Sequence, residues 1–191
     1  MKSFYKDIIL QTDNVYAPAE DSYMLAEIIE KLELKNKRVL DMGTGSGLLA
    51  IVAAKAGASV TSTDLSEQAI KTAKQNAKQN SVRINFIHSD LLQNVSGTFD
   101  LIIFNPPYLP EDEYDKNIDT TGGIAIVRRF IEQAGRYLNS NGNILLLISS
   151  LTGKQETFEI FAKNGFAAKK IAEKKIEWEK LFVFEVTKGG K

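Results

Sequence analysis

Four consecutive residues, Asn105-Pro106-Pro107-Tyr108, carry the plainest chemical signal in the chain. The two prolines fix their φ angles and lack an N–H, so the backbone carbonyls here are held with no adjacent donor competing for them. The Asn105 side-chain oxygen and the Pro106 carbonyl can together accept both hydrogens of an –NH2 group. The Tyr108 ring can stack on the planar group that bears it, with Pro107 completing the acceptor-side wall. Such a grip suits transfer onto an amide or exocyclic amine nitrogen, a poor nucleophile because its lone pair is delocalised. Binding both hydrogens favours a geometry in which the lone pair faces an activated methyl carbon. Orientation then supplies most of the catalysis, and a strong general base is unnecessary. Asn-Pro and Pro-Pro are also ordinary turn formers. Their place directly after the apolar run Leu101-Ile102-Ile103-Phe104 favours the chemical reading.

The elements needed to position that tetrapeptide are visible around it. From about residue 38 onward, short β-branched runs alternate with longer helical stretches, which predicts a parallel sheet with crossover helices. Strands are expected at 38–42, 59–63, 84–88, 101–104 and 143–149, and helices at 47–56, 66–79, 123–138 and 154–164. Ser66 with Glu67 in the first turn is a suitable start for the second of these helices. Gly165 closes the last. Two more strand-like runs, 167–172 and 181–186, are joined by a segment too short for a crossover helix, so they should pair antiparallel. The expected fold is α/β and Rossmann-like: a seven-stranded sheet with a C-terminal antiparallel hairpin and helices on both faces. One domain is expected over 1–191, with 1–37 an N-terminal cap segment carrying a helix at 21–32, and 38–191 the core.

The first strand runs into a glycine-rich turn, Val39-Leu40-Asp41-Met42-Gly43-Thr44-Gly45-Ser46-Gly47. Glycine permits positive φ and lets a ligand approach without a Cβ in the way, and the first strand–helix crevice is the default ligand position in open α/β sheets. The spacing of Gly43, Gly45 and Gly47 is Gly-x-Gly-x-Gly rather than the dinucleotide Gly-x-Gly-x-x-Gly. It points to a nucleoside with an amino-acid tail, S-adenosylmethionine, whose ammonium Asp41 can hold directly or through water. Asp64, ending the second strand, can accept both ribose hydroxyls. Asp90, after the third, can accept from the adenine amino group, and Leu91 can offer its backbone N–H and an apolar wall. A single such acid is often only a turn residue; three at the ends of three consecutive strands are harder to dismiss. His88 reads as a packed strand-end residue and not as a catalyst.

Composition narrows the classes further. The chain has 191 residues, 43% hydrophobic and 25% charged, as expected for one globular domain. Lys+Arg and Asp+Glu are each 24, so the net charge of +0 lacks the basic excess usual for a nucleic-acid binder. With no cysteine there is no disulfide, no thiolate metal site and no thiolate nucleophile, which rules out the usual cytosine-C5 methylation chemistry. One histidine cannot build a multi-histidine metal centre, and no metal site is expected. No apolar run approaches the ~20 residues needed to cross a bilayer, and residues 1–11 show no signal-peptide pattern. A cytoplasmic location is expected.

Taken together, these motifs resemble the HemK/PrmC family of release-factor glutamine methyltransferases, class I S-adenosylmethionine-dependent enzymes. The likeness covers most of the chain and is strongest to the short archaeal and eukaryotic branch that lacks the N-terminal helical domain. Val15-Tyr16-Ala17-Pro18-Ala19-Glu20-Asp21-Ser22 is similar to that branch's pre-domain signature, which implies a segment folded over the cofactor with Ser22 touching it. The resemblance also implies a substrate, the glutamine N5 of the Gly-Gly-Gln loop of a class 1 peptide chain release factor. It further implies a small zinc-binding activator packed along the third core strand, with Ile84 and Phe86 as candidate contacts. Both also read as ordinary half-buried strand residues. The chain departs from the family where relatives carry Gly-Gly-x-x-Gly: Gly122-Gly123-Ile124-Ala125-Ile126 lacks the last glycine, which leaves its substrate-side contacts open.

The run Glu111-Asp112-Glu113-Tyr114-Asp115 places carboxylates after the acceptor motif. As a charge run it fits a solvated surface; bordering the acceptor pocket, it would repel phosphates and favour a basic peptide. Two alternatives stay open at this point. One is an N-methyltransferase acting on exocyclic amines of RNA or DNA, or on protein lysine. The other is a cofactor-binding scaffold without catalysis, which the intact acceptor motif disfavours.

Overall fold

Alternating burial folds the first residues into an antiparallel hairpin, β1 (Lys2–Tyr5) and β2 (Ile8–Gln11), with Tyr5, Ile8 and Leu10 turned inward. No strand is expected here from the sequence. The hairpin is held by side chains of α3 (Glu67–Gln79) and its C-cap Asn80. Asn76 accepts from the Gln11 N–H at 2.8 Å and donates to the Gln11 carbonyl at 2.9 Å; Asn80, beginning the next turn, does the same for Ile9 at 3.1 and 2.8 Å. Residues i and i+4 of a helix rise about 6 Å, and i and i+2 of a strand about 6.8 Å, so two amides can serve two successive outward-facing peptides.

The computed structural model describes residues 1–107, 123–152, 154–177 and 179–189. After α1 (Glu20–Ile29) come β3 (Arg38–Met42), α2 (Leu48–Lys55) and β4 (Ser59–Asp64). Beyond α3 lie β5 (Asn85–His88), β6 (Phe99–Phe104), α4 (Gly123–Ala134), β7 (Leu138–Ser149), α5 (Lys154–Lys163), β8 (Phe166–Lys175) and β9 (Lys180–Lys188). The seven-stranded sheet has the order β5-β4-β3-β6-β7-β9-β8. Strands β3 to β7 pair in parallel, and the C-terminal pair is antiparallel, as the short β8–β9 connection requires.

Parallel strands covered on both faces read as continuous apolar runs, and β6 and β7 do so here. Leu101, Ile103, Leu145 and Leu147 face a core shared with α1 and α2, while Ile102, Phe104, Ile144, Leu146 and Ile148 face one shared with α4 and α5. Expected and observed elements differ most at α4, which ends at Ala134 and not at 138, and at β7, which begins at Leu138 and not at 143. The polar run Asn139-Ser140-Asn141-Gly142 reads as a loop, but Leu138 already pairs with Phe99 across a register shift. The chain leaves β3 for β4 on one side and returns to β6 on the other. That switch point opens a crevice at the strands' C-terminal ends, the usual ligand position in such sheets.

Candidate active site

The crevice is a cavity of about 860 Å³ at the C-terminal ends of β3 to β6, with α4 forming one wall. Ser22, Gly43, Gly45, Asp64, Asp90, Leu91, Asn105, Pro106 and Pro107 all line it, so residues from distant parts of the chain meet at one cavity. Two residues expected there stand behind the wall. Gly47 (φ +87) packs against α3, where a Cβ would come within 3.1 Å of the Ala73 Cβ. Its glycine is needed for helix packing and not for ligand approach. Gly45 (φ +52) is the opposite case: a Cβ there meets nothing within 4 Å, and the position opens on the cavity. Asp41 lies beneath the turn. Tyr108, Gly122 and the acidic run 111–115 fall outside the described residues.

Asp41 is buried, and Thr44 Oγ1 donates to its Oδ2 at 2.6 Å. Burial pushes the carboxyl up to about 6, the Thr44 hydroxyl pulls the other way, and the nearby Asp64 charge adds to the rise. The Asp64 carboxylate is aimed by backbone: its Oδ2 accepts from the Gly45 N–H and its Oδ1 from the Ser66 N–H, each at 2.9 Å. Ser66 in turn caps α3 by accepting from the Ala69 N–H. At the next strand end, Asp90 accepts from Arg129 Nη2 of α4 at 2.6 Å. Leu91 is held at φ +48, with Ser89 Oγ donating to its carbonyl at 2.9 Å. A leucine in that backbone region is strained, and the strain sits on the cavity wall. His88 is not packed as expected: its side chain is half exposed, with Nε2 bonded to the Leu65 carbonyl at 2.7 Å, and it does not line the cavity.

Directly after β6, the Asn105 Nδ2 donates to Asp21 Oδ2 at 2.9 Å. Asp21 sits in the first turn of α1 and also accepts from the Ser22 N–H at 2.6 Å and from the Tyr16 hydroxyl. Two buried side-chain oxygens on residues that line the cavity, Thr63 Oγ1 and Asn105 Oδ1, have no hydrogen-bond partner among the described residues. Buried polar atoms are normally paired. Their places at the ends of β4 and β6, the two strands that flank β3, suit a polar ligand.

A family model, the methyltransferase small domain, matches residues 9–176. The chain belongs to that family. This methyltransferase is 43% identical over 179 residues to a Methanocaldococcus jannaschii protein named a "putative protein N5-glutamine methyltransferase", covering 88% of this chain and 89% of the relative. It is 36% identical to a release factor glutamine methyltransferase of Flavobacterium psychrophilum, with 81% of this chain matching and 62% of the relative spanned. Among solved structures it is similar to the E. cuniculi Mtq2–Trm112 complex, described as methylating the eRF1 translation termination factor. That likeness has a TM-score of 0.73 and 26% identity, over 91% of this chain and 98% of the other. No helix among the described residues is long and apolar enough to cross a membrane.

Sequence reasoning missed three residues of this site. Asp21 carried a signal, its place in the pre-domain signature, but reads there only as a helix start. Thr44 is an unremarkable residue between two glycines. Arg129 lies in the middle of α4, and nothing local tells that it reaches Asp90.

Proposed function

We propose that this methyltransferase binds S-adenosylmethionine in the cavity and methylates the glutamine N5 of a class 1 release factor's Gly-Gly-Gln loop. The observation that carries the proposal is the Asn105 amide, whose Nδ2 is engaged by Asp21 while its buried Oδ1 has no partner among the described residues. An oxygen so placed can accept from an incoming amide –NH2, with the Pro106 carbonyl as the second acceptor. In this assignment Asp64 receives the ribose hydroxyls, Asp90 and Leu91 the adenine, and Ser22, Gly43 and Gly45 surround the rest. Asp41 sits under the turn as counter-charge to an ammonium. When bound, S-adenosylmethionine supplies a methyl group already activated by a sulfonium. The chain's task is therefore to hold the amide nitrogen in line and to exclude competing water. Tyr108 is assigned to stacking on the amide plane.

A small zinc-binding activator protein along β5 belongs to the same proposal. Strand β5 ends the sheet order and pairs only with β4 among the described strands. Phe86 on it and Ile84 just before it are half-buried apolar residues at that edge. An unpaired apolar edge favours a partner. A cytoplasmic location follows from such a substrate. The test offers radiolabelled S-adenosylmethionine with purified release factor, its loop Gln→Ala variant, and bulk tRNA and rRNA, with and without the activator. Label on the release factor but not on the variant is expected; label on RNA alone, or equal label on the variant, overturns the substrate.

A further inference from the structure

We propose that Asp21 is a positioning residue for methyl transfer: its carboxylate holds the Asn105 side chain with Oδ1, rather than Nδ2, turned to the acceptor nitrogen. The inference rests on the reading of Asn105 as the acceptor grip.

An asparagine amide has nearly the same shape either way round, so its partners decide which end faces the substrate. A carboxylate only accepts hydrogen bonds. The 2.9 Å contact with Asp21 Oδ2 therefore fixes Nδ2 on that side and leaves Oδ1 on the other, buried and without a partner among the described residues. Turned over, Asn105 would set two acceptors against each other at Asp21 and present a donor to an –NH2 group, which is itself a donor. Both contacts would be lost by the same rotation.

Asp21 is itself prevented from moving. It is 2% exposed and lies in the first turn of α1, where free N–H groups and the helix dipole favour an anion. The Ser22 N–H (2.6 Å) and Ser22 Oγ (3.2 Å) hold its Oδ1, and the Tyr16 hydroxyl lies 3.3 Å from each oxygen. A second effect acts along the same line. An anion bonded to Nδ2 polarises the amide and makes Oδ1 a stronger acceptor. As the methyl group arrives, the acceptor nitrogen gains positive charge and its N–H groups become stronger donors. The gain is larger in the transition state than in the bound substrate, so it belongs in kcat and not in KM.

The test uses the full chain with Asp21→Ala and with the isosteric Asp21→Asn, which preserves packing should the alanine variant unfold. In wild-type protein the assigned Asn105 side-chain amide pair should exchange slowly with solvent and resonate apart from exposed asparagines. Both variants should shift that pair and speed its exchange. S-adenosylmethionine affinity by calorimetry should stay within about threefold while kcat on the release factor falls about 10²-fold, the size of losing one pre-organised polar contact at a reacting group. In an Asn105→Ala background, Asp21→Ala should lower the residual rate no further than about threefold, since residues acting as a unit are not additive. An unchanged Asn105 amide signal overturns the inference, as does weakened cofactor affinity with unchanged kcat, or a fully additive loss. Should wild-type enzyme label no release factor, the substrate assignment fails, while the amide signal still decides the role of Asp21.

Discussion

The two ends of the cavity, one assigned above to the cofactor and the other to the acceptor, are built from different kinds of contact. At the cofactor end, strand-end turns aim the side chains: Asp64 by the Gly45 and Ser66 N–H groups, Leu91 by Ser89. At the acceptor end, Asn105 depends on Asp21, 84 positions away in the chain. That contact exists only when the N-terminal segment docks on the core. The segment is fastened by α1 in the core and by β2 on Asn76 and Asn80. Asn76 Nδ2 also reaches the Ser46 carbonyl at 2.7 Å, so one buried amide ties hairpin and glycine turn together. In the proposed assignment, turn chemistry shapes the nucleoside pocket and tertiary docking completes the methyl-transfer site.

If the two ends are separable, Asn105→Ala should split them most sharply. Turnover should fall by about 10³-fold, as for the loss of a key pre-organised contact, with cofactor affinity changed by no more than about threefold. Single-turnover rates and calorimetry on one preparation check both. Equal losses in the two would mean that the acceptor loop also builds the cofactor end.

The next test concerns the cost carried by the cofactor end. Asp41 has its carboxyl raised to about 6 from an ordinary 3.8. The folded chain then holds this proton more tightly than the unfolded chain does. The group costs nothing below about pH 3.8, destabilises progressively up to about pH 6, and costs a constant amount above, roughly 3 kcal/mol. Without cofactor, Asp41→Asn should therefore gain on wild type by about 3 kcal/mol between pH 3.5 and pH 7, seen as a growing gap between urea midpoints. A gap that does not change with pH would show that Asp41 is not the buried acid described. The same variant should bind cofactor more weakly, since the ammonium loses its counter-charge.

This contrast also explains what the sequence reveals. The sheet, its antiparallel end and the strand-end acids are written locally, in apolar runs and the residues that stop them. Gly45 and Gly47 look alike in sequence, yet one faces the cavity and the other packs on Ala73. Their difference depends on where α3 lies. The β1–β2 hairpin is hidden for a similar reason: its outer peptides at Ile9 and Gln11 are satisfied by Asn80 and Asn76, 71 and 65 positions away. Asp21 and Arg129 become site residues through partners 84 and 39 positions away. No window of sequence contains either pair.

Asp64→Ala should act at the cofactor end alone. It removes two charge-assisted acceptors for ribose, worth an affinity loss of about 10- to 100-fold. With cofactor saturating, kcat should stay within about threefold. A comparable loss in kcat would mean that ribose anchoring also sets the position of the reacting methyl group.

The smallest effect is expected where the two ends meet. Arg129 reaches from α4, which follows the acceptor loop, to Asp90 on the cofactor side, with side chains 49% and 31% exposed. A pair that open to water is worth about 0–1 kcal/mol. Arg129→Ala should therefore raise the cofactor KM only about two- to fivefold, by leaving the Asp90 carboxylate free to turn. Because the contact is electrostatic and accessible, the difference from wild type should shrink in about 1 M salt, where charges are screened within about 3 Å. Arg129→Lys should recover part of the effect, since it keeps the charge but loses the planar fork. A loss above about tenfold, or one that salt leaves untouched, would contradict a surface pair. A rise confined to the KM of the protein substrate would move Arg129 from the cofactor end to the acceptor end.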